Sequence, residues 1–182
     1  MKDYKQKLIE WNATEKYRKE LDFLYMLINP QLGEFILDYG CGIMTALKIF
    51  NSREPGVFFG YDVVEYSDQI HSYDMDLKRK YNTIYLNHSL AHIENAKDAL
   101  IKLRENLKEG GKIVIVTPNY EWLDTGYIGD PTVICHYNLE TLSKLVESAG
   151  YKIDQIGEFG TIKKNIHQHN RLNCERLFIV AK

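Results

Sequence analysis

Residues 34 to 42 read Glu-Phe-Ile-Leu-Asp-Tyr-Gly-Cys-Gly: an apolar run that ends in an acid and breaks at two glycines. A short apolar run closed by glycine predicts a buried strand. A helical pattern resumes at Thr45, Ala46, Leu47, Ile49 and Phe50 and stops before Pro55-Gly56. Strand, glycine turn and helix in immediate succession leave few folds open. The turn lies at the carboxyl end of a strand, where open α/β sheets bind ligands, and the following helix offers free N–H groups there. A second strand is predicted over 57 to 64, and it also carries an acid, Asp62, near its end.

The rest of the chain keeps the same alternation. An amphipathic helix is predicted over 13 to 28, with Tyr17, Leu21, Leu24, Tyr25 and Ile28 at steps of three and four, ending at Asn29-Pro30. A strand is expected at 83 to 88, and a helix at 94 to 107 with Ala96, Leu100, Leu103 and Leu107 on one stripe. Lys108-Glu109-Gly110-Gly111 reads as the end of that helix, supplied with left-handed-capable residues. A β-branched strand follows at 112 to 118, then a long aromatic loop over 119 to 137. A helix at 139 to 149 is capped by Asn138 and closed by Gly150. The runs at 151 to 159 and 175 to 181 are two last strands with no helix between them, hence an antiparallel pair. The sum is an α/β fold: a Rossmann-like, mostly parallel sheet with helices on both faces and an antiparallel C-terminal strand.

The 182 residues suit one domain, and 45% hydrophobic with 26% charged residues is ordinary globular composition. A formal net charge of −2 without a polybasic run argues against a nucleic-acid surface. Cys41, Cys135 and Cys174 are odd in number and widely spaced, which indicates a reducing compartment rather than a disulfide framework. The charged N-terminus has no apolar signal core and no run is long enough for a membrane span, so a cytoplasmic protein is expected. The many tyrosines read chiefly as core.

Which ligand suits the glycine turn? Asp62 follows Asp38 by 24 residues, near the spacing at which dinucleotide folds place the acid that holds a ribose. The alternative is that both acids only cap turns. A dinucleotide fingerprint wants a third glycine where Thr45 stands, and Asp38 would repel a pyrophosphate. An acid at that position suits a ligand that carries an ammonium and a sulfonium.

ILDYGCG resembles the first motif of class I S-adenosylmethionine-dependent methyltransferases, a hydrophobic strand followed by D-x-G-x-G. GYDVV resembles their second motif. TIYLNHSLAHI, LKEGGKIVIVTPN and HYNLETLSKLVESAGYKI resemble three later segments of the small-molecule members, in the right order over residues 30 to 182. The resemblance implies one methyltransferase-like domain over 1–182, with 1–29 a leading helical segment. It implies S-adenosylmethionine as cofactor. Asp38, Gly40, Cys41 and Gly42 would surround its methionine part, Asp62 would hold the ribose, and Val63 would pack on the adenine. Asp74 with Met75 would meet the adenine edge, and Asn87 and His88 would lie beside the cofactor. Tyr17 or Arg18 would cover the carboxylate. The chain departs from the pattern where Met44 replaces a third glycine and where Ala91 replaces an acid. The segment between Asp62 and Asn82 is too short for the usual helix, strand and helix, leaving at most a short strand near 70 to 75.

Methyl transfer from a sulfonium needs alignment, and an oxygen acceptor also needs a base. His88, His92, Tyr120 and His136 are candidates. His136 ranks first because it ends the long loop beside the late helix, with simple packing as the alternative. Asn119, Tyr120 and Tyr127 are candidate substrate contacts, with Trp122 part of a lid or of surface packing. His88 and His92 lack the neighbouring Glu of a zinc hydrolase, and His167 with His169 lacks further ligands, so no metal is expected. The expected function is methyl transfer to a small polar acceptor, a sugar hydroxyl before a secondary-metabolite oxygen or nitrogen, with no nucleic-acid or membrane partner. The alternatives are a catalytically inactive methyltransferase-like binding protein and, disfavoured by Asp38, a nicotinamide-dependent oxidoreductase.

Overall fold

A computed structural model describes residues 2–53, 56–63, 79–122, 132–162 and 172–182. The expected short strand near 70 to 75, together with Asp74, Met75, Tyr127, His167 and His169, lies outside the described residues.

The elements run α1 (Lys2–Asn12), α2 (Glu15–Ile28), β1 (Phe35–Tyr39), α3 (Thr45–Asn51), β2 (Val57–Tyr61), β3 (Tyr81–Asn87), α4 (Ala96–Glu105), β4 (Leu107–Pro118), α5 (Leu139–Ser148), β5 (Ile153–Ile162) and β6 (Leu172–Ala181). The six strands form one sheet in the order β2-β1-β3-β4-β6-β5. β1 is parallel to both of its neighbours, and β6 is antiparallel to β4 and to β5. This is the mostly parallel, Rossmann-like sheet with an antiparallel C-terminal strand and flanking helices. The chain gathers into two compact units, Met1–Tyr85 with Asn106–Gly111 and Leu86–Glu105 with Lys112–Lys182.

In the first unit, the three-and-four spacing on α2 turns Leu21, Leu24 and Ile28 completely inward. Each such side chain contributes roughly 1.5–3 kcal/mol of burial. Thr14 caps the helix by accepting from the Tyr17 amide at 3.1 Å, and Asn29 closes it at φ 44°. The same Thr14 hydroxyl donates to Trp11 O at 2.8 Å, so the leading segment is two helices with a tight break rather than one. Behind α2, an aromatic cluster fills the space between α3 and the sheet, with Phe50 centred 5.2 Å from Tyr25, 5.4 Å from Phe58 and 5.9 Å from Tyr85.

Several boundaries differ from the sequence reading, among them those of β4 and β2. Lys108–Gly111 is not a helix end, because α4 stops at Glu105 and β4 already starts at Leu107. The Tyr81 amide donates to Asn106 O at 2.8 Å, which draws this run onto the sheet. Gly111 fits there because a Cβ would stand 2.9–3.1 Å from the carbonyls of Lys108, Tyr81 and Asn82. β2 also ends earlier than expected, at Tyr61.

In the second unit, Ile113 to Val116 on β4, Leu177 and Ile179 on β6, Leu100 on α4, and Leu142 and Val146 on α5 are fully buried. The Asn138 side chain accepts from the Thr141 amide at 2.8 Å while the Thr141 hydroxyl accepts from the Asn138 amide at 3.0 Å, a reciprocal cap on α5. Tyr137 and Tyr151 are buried here, as Tyr17, Tyr81 and Tyr85 are in the first unit, and the Tyr151 hydroxyl donates to Leu100 O at 2.9 Å.

Candidate functional site

The turn after β1 is built by backbone conformations that favour glycine. Gly40 sits at φ 87° and Gly42 at φ 51°. The amides of Gly40 and Cys41 both donate to Tyr61 O, at 2.7 and 3.1 Å, and the Gly42 amide donates to Asp62 Oδ2 at 2.8 Å. The end of β2 therefore holds the turn through three hydrogen bonds, and the Asp62 carboxylate lies against it. Among the described residues the approach to Gly42 is open, since a Cβ there would meet only Leu8 Cδ1, at 3.9 Å. Just beyond the turn, Asn12 of α1 donates to the Thr45 hydroxyl at 2.9 Å.

Cys41 is buried, and the space for it exists because its neighbour on β2 is Gly60. A Cβ on Gly60 would lie 2.8 Å from Cys41 Sγ. Met44, where the third glycine was expected, takes the left-handed conformation at φ 61° with its side chain buried. Val63 is 84% exposed.

Asp38 is 2% exposed. Burial pushes its carboxyl up to about 7, with the Tyr85 hydroxyl pulling it down and the Asp62 charge adding to the rise. Tyr85 is raised far above the usual phenol range by its own burial and then by Asp38.

The second unit carries the acceptor-side candidates. Asn87 ends β3, and its buried Oδ1 has no hydrogen-bond partner among the described residues. His88 sits at φ 59°, fixed by its amide donating to Val116 O at 2.8 Å. His92 holds the returning loop: its Nδ1 lies 2.9 Å from Thr132 O, and Ala91 O accepts from the Ile134 and Cys135 amides. Beside that tether lies a narrow cleft lined by Ala91, Thr117, Pro118, Cys135, His136 and Tyr137. Thr117 is fully buried there and its hydroxyl has no partner among the described residues. His136 is exposed and lies 4.9 Å from the Tyr120 ring, centre to centre. Burial, and then Cys135, raise the Tyr137 hydroxyl. Asn119 is fully buried: its amide side chain donates to Glu158 Oε1 at 2.8 Å and accepts from the Glu121 amide at 3.2 Å. Its polar atoms are thus committed to the protein. Among the described residues no group of three His, Cys, Asp or Glu side chains is placed to hold a metal, and no helix is long and apolar enough to cross a membrane.

Residues 9–156 match the family model described as a methyltransferase domain. The chain belongs to that family. Its fold is similar to that of a SAM-dependent methyltransferase from Aquifex aeolicus, at a TM-score of 0.71 and 15% identity, covering 97% of each chain. It is also similar to a SAM-dependent methyltransferase from Archaeoglobus fulgidus, at a TM-score of 0.67 and 21% identity, covering 82% of this chain and 86% of that one. A third similar structure is the magnesium protoporphyrin IX methyltransferase from Synechocystis PCC 6803 with bound SAH, at a TM-score of 0.64 and 14% identity, covering 95% of this chain and 86% of that one. At these identities the likeness is one of fold. No curated protein sequence matches the chain.

Sequence reasoning about this methyltransferase domain missed Gly60 and Tyr85. A glycine inside a strand signals close approach of another group, so Gly60 was readable in GYD. Tyr85 gave no such signal, because in an apolar strand a tyrosine looks like any packing residue and the register that sets it beside Asp38 is not written in either segment.

Proposed function

We propose that this methyltransferase domain binds S-adenosylmethionine at the glycine turn of its first unit and transfers the methyl group to a small polar acceptor. One observation carries the reading: the turn is folded against the Asp62 carboxylate, with the Gly42 amide donating to Asp62 Oδ2 at 2.8 Å. The donor set fits the molecule. Asp62 is proposed to grip the ribose and Asp38 to offer a buried acid to the ammonium, with Gly40 and Gly42 letting the backbone approach closely around Cys41. Val63, at 84% exposure, is available to an adenine.

Bound S-adenosylmethionine supplies an already activated methyl group. The protein's part is to hold the donor, orient the acceptor and, for an oxygen acceptor, remove a proton. His136 is the proposed base: it is exposed, borders the cleft and is steadied by the Tyr120 ring. Tyr120, 53% exposed, is proposed to contact the acceptor. Asn87 and His88 are proposed to face the cofactor, and buried Asn119 to brace the end of β4 beside the acceptor loop. A sugar hydroxyl is the acceptor favoured, because an aromatic loop with polar edges stacks on sugar faces.

Calorimetry of the full chain tests the cofactor: S-adenosylmethionine and S-adenosylhomocysteine are expected to bind, and Asp62→Ala is expected to abolish both. Tight binding of NAD with neither of these bound overturns the assignment. Incubation with S-adenosylmethionine and a panel of sugars, read by mass spectrometry, tests the acceptor. With an oxygen acceptor in hand, His136→Asn is expected to lower kcat by about 10²–10⁴-fold; an unchanged kcat removes His136 from the role.

A further inference from the structure

Asp38 on β1 and Tyr85 on β3 are register partners in a parallel pair, so their side chains leave the same face of the sheet. Both are buried, at 2% and 0% exposure. On its other side Asp38 is level with Gly60, which has no side chain. Tyr85 is thus the side chain that the strands bring level with the acid. Its ring packs on Phe50 at 5.9 Å and Phe58 at 6.4 Å, a task phenylalanine would perform as well. The hydroxyl is what distinguishes it, and that hydroxyl is buried with no hydrogen-bond partner among the described residues. A buried hydroxyl left in that state is destabilising, so packing does not account for it.

We infer that Tyr85 is a positioning residue whose buried hydroxyl governs the charge state of Asp38, and through it the grip of the glycine turn on a cationic ligand. The inference rests on the cofactor reading above and deepens it. The groups that act on the pair are Tyr85 from β3, Asp62 from the end of β2, Tyr17 from α2 and Cys41 from the turn. Each is neutral or anionic. Asp62 favours the protonated acid, and the Tyr85 hydroxyl, on the residue level with Asp38 in the next strand, favours the charged one. An ammonium arriving at Asp38 meets a full negative charge only when that balance lies on the ionised side. Affinity for a cationic cofactor then rises with pH through the neutral range, and removing the Tyr85 hydroxyl moves that rise to higher pH.

The test follows the Asp38 carboxyl by ¹³C NMR in the unliganded full chain, with S-adenosylmethionine and S-adenosylhomocysteine affinities measured by calorimetry from pH 5.5 to 9. In Tyr85→Phe the carboxyl midpoint is expected to rise by about half a unit or more, with affinity at neutral pH falling about twofold or more and recovering as pH rises. Superimposable titrations for the two proteins overturn the inference. If Tyr85→Phe does not fold, the Tyr85 Cζ resonance of the native chain is expected to inflect with the Asp38 titration and to lose that inflection in Asp38→Asn; its persistence there overturns the inference. Failure of the native chain to bind either molecule at any pH would instead strike the cofactor reading, and the coupling in the unliganded chain would still be read.

Discussion

The Gly42 amide donates to Asp62 Oδ2 at 2.8 Å, so one carboxylate both closes β2 and fixes the turn that leaves β1. The two tasks separate by substitution. Asparagine keeps an oxygen that accepts from Gly42; alanine keeps none. Asp62→Ala is expected to lose about 1–3 kcal/mol in urea unfolding, as a charge-assisted hydrogen bond disappears. Asp62→Asn is expected to stay within about 1 kcal/mol of the native protein while binding S-adenosylhomocysteine at least tenfold more weakly, because a neutral amide is a poorer acceptor for two ribose hydroxyls. Equal affinity in Asp62→Asn and the native chain would remove the ribose role.

Asp38 makes stability depend on pH in an unusual direction. Its carboxyl is raised by burial to about 7, well above the value of an unfolded chain. Between roughly pH 4 and pH 7 the folded state therefore holds a proton that the unfolded state has released, and stability from this group falls as pH rises. Below that window both states are protonated and the effect vanishes; above it the loss is complete, on the order of 4 kcal/mol. Asp38→Asn removes the titration. The variant is expected to gain on the native protein steadily from pH 4 to pH 8, by up to a few kcal/mol in urea midpoints. Parallel stability curves would show that the native acid titrates normally.

How far the sequence foretold this depends on whether the information is local. α2 was legible from Tyr17, Leu21, Leu24 and Ile28, and α5 from Asn138, because period and cap are written within one segment. The glycine turn and Asp62 were legible as a pair of strand ends. Their hydrogen bond was not, since it depends on strand order. Lys108–Gly111 was misread because glycines after a helix signal a cap in isolation, whereas here the Tyr81 amide and the carbonyls of Tyr81 and Asn82 recruit the run into a strand. The tether of His92 to Thr132, which shapes the cleft, joins residues far apart in the chain and left no pattern in either.

Gly60 and Cys41 should behave as one unit. An alanine methyl at Gly60 would come within 2.8 Å of Cys41 Sγ and 3.2 Å of its Cβ. Overpacking of this kind costs about 1–3 kcal/mol, and relief by moving Cys41 would distort the turn. Gly60→Ala is expected to destabilise the protein and to weaken cofactor binding together. Cys41→Ala removes the nearer atom and leaves the farther one, so the double variant should recover about 1 kcal/mol of the loss, a coupling readable in a double-mutant cycle. Strict additivity would mean the turn absorbs the methyl elsewhere.

Met44 places two effects in opposition. Its φ of 61° is the left-handed conformation, which costs a side-chain-bearing residue about 1–2 kcal/mol and a glycine almost nothing. Its side chain is 3% exposed, and truncating a buried methionine costs about 2–5 kcal/mol. Burial outweighs strain, so both Met44→Gly and Met44→Ala are expected to be less stable than the native chain. Their order is the sharper test. Both lose nearly the same contacts, but only alanine keeps a Cβ in the left-handed region. Glycine should therefore exceed alanine by about 1 kcal/mol in urea unfolding, the reverse of their order within a helix. If alanine proved the more stable, the strain assigned to this position would be absent, and the methionine would owe its place in the turn to packing alone.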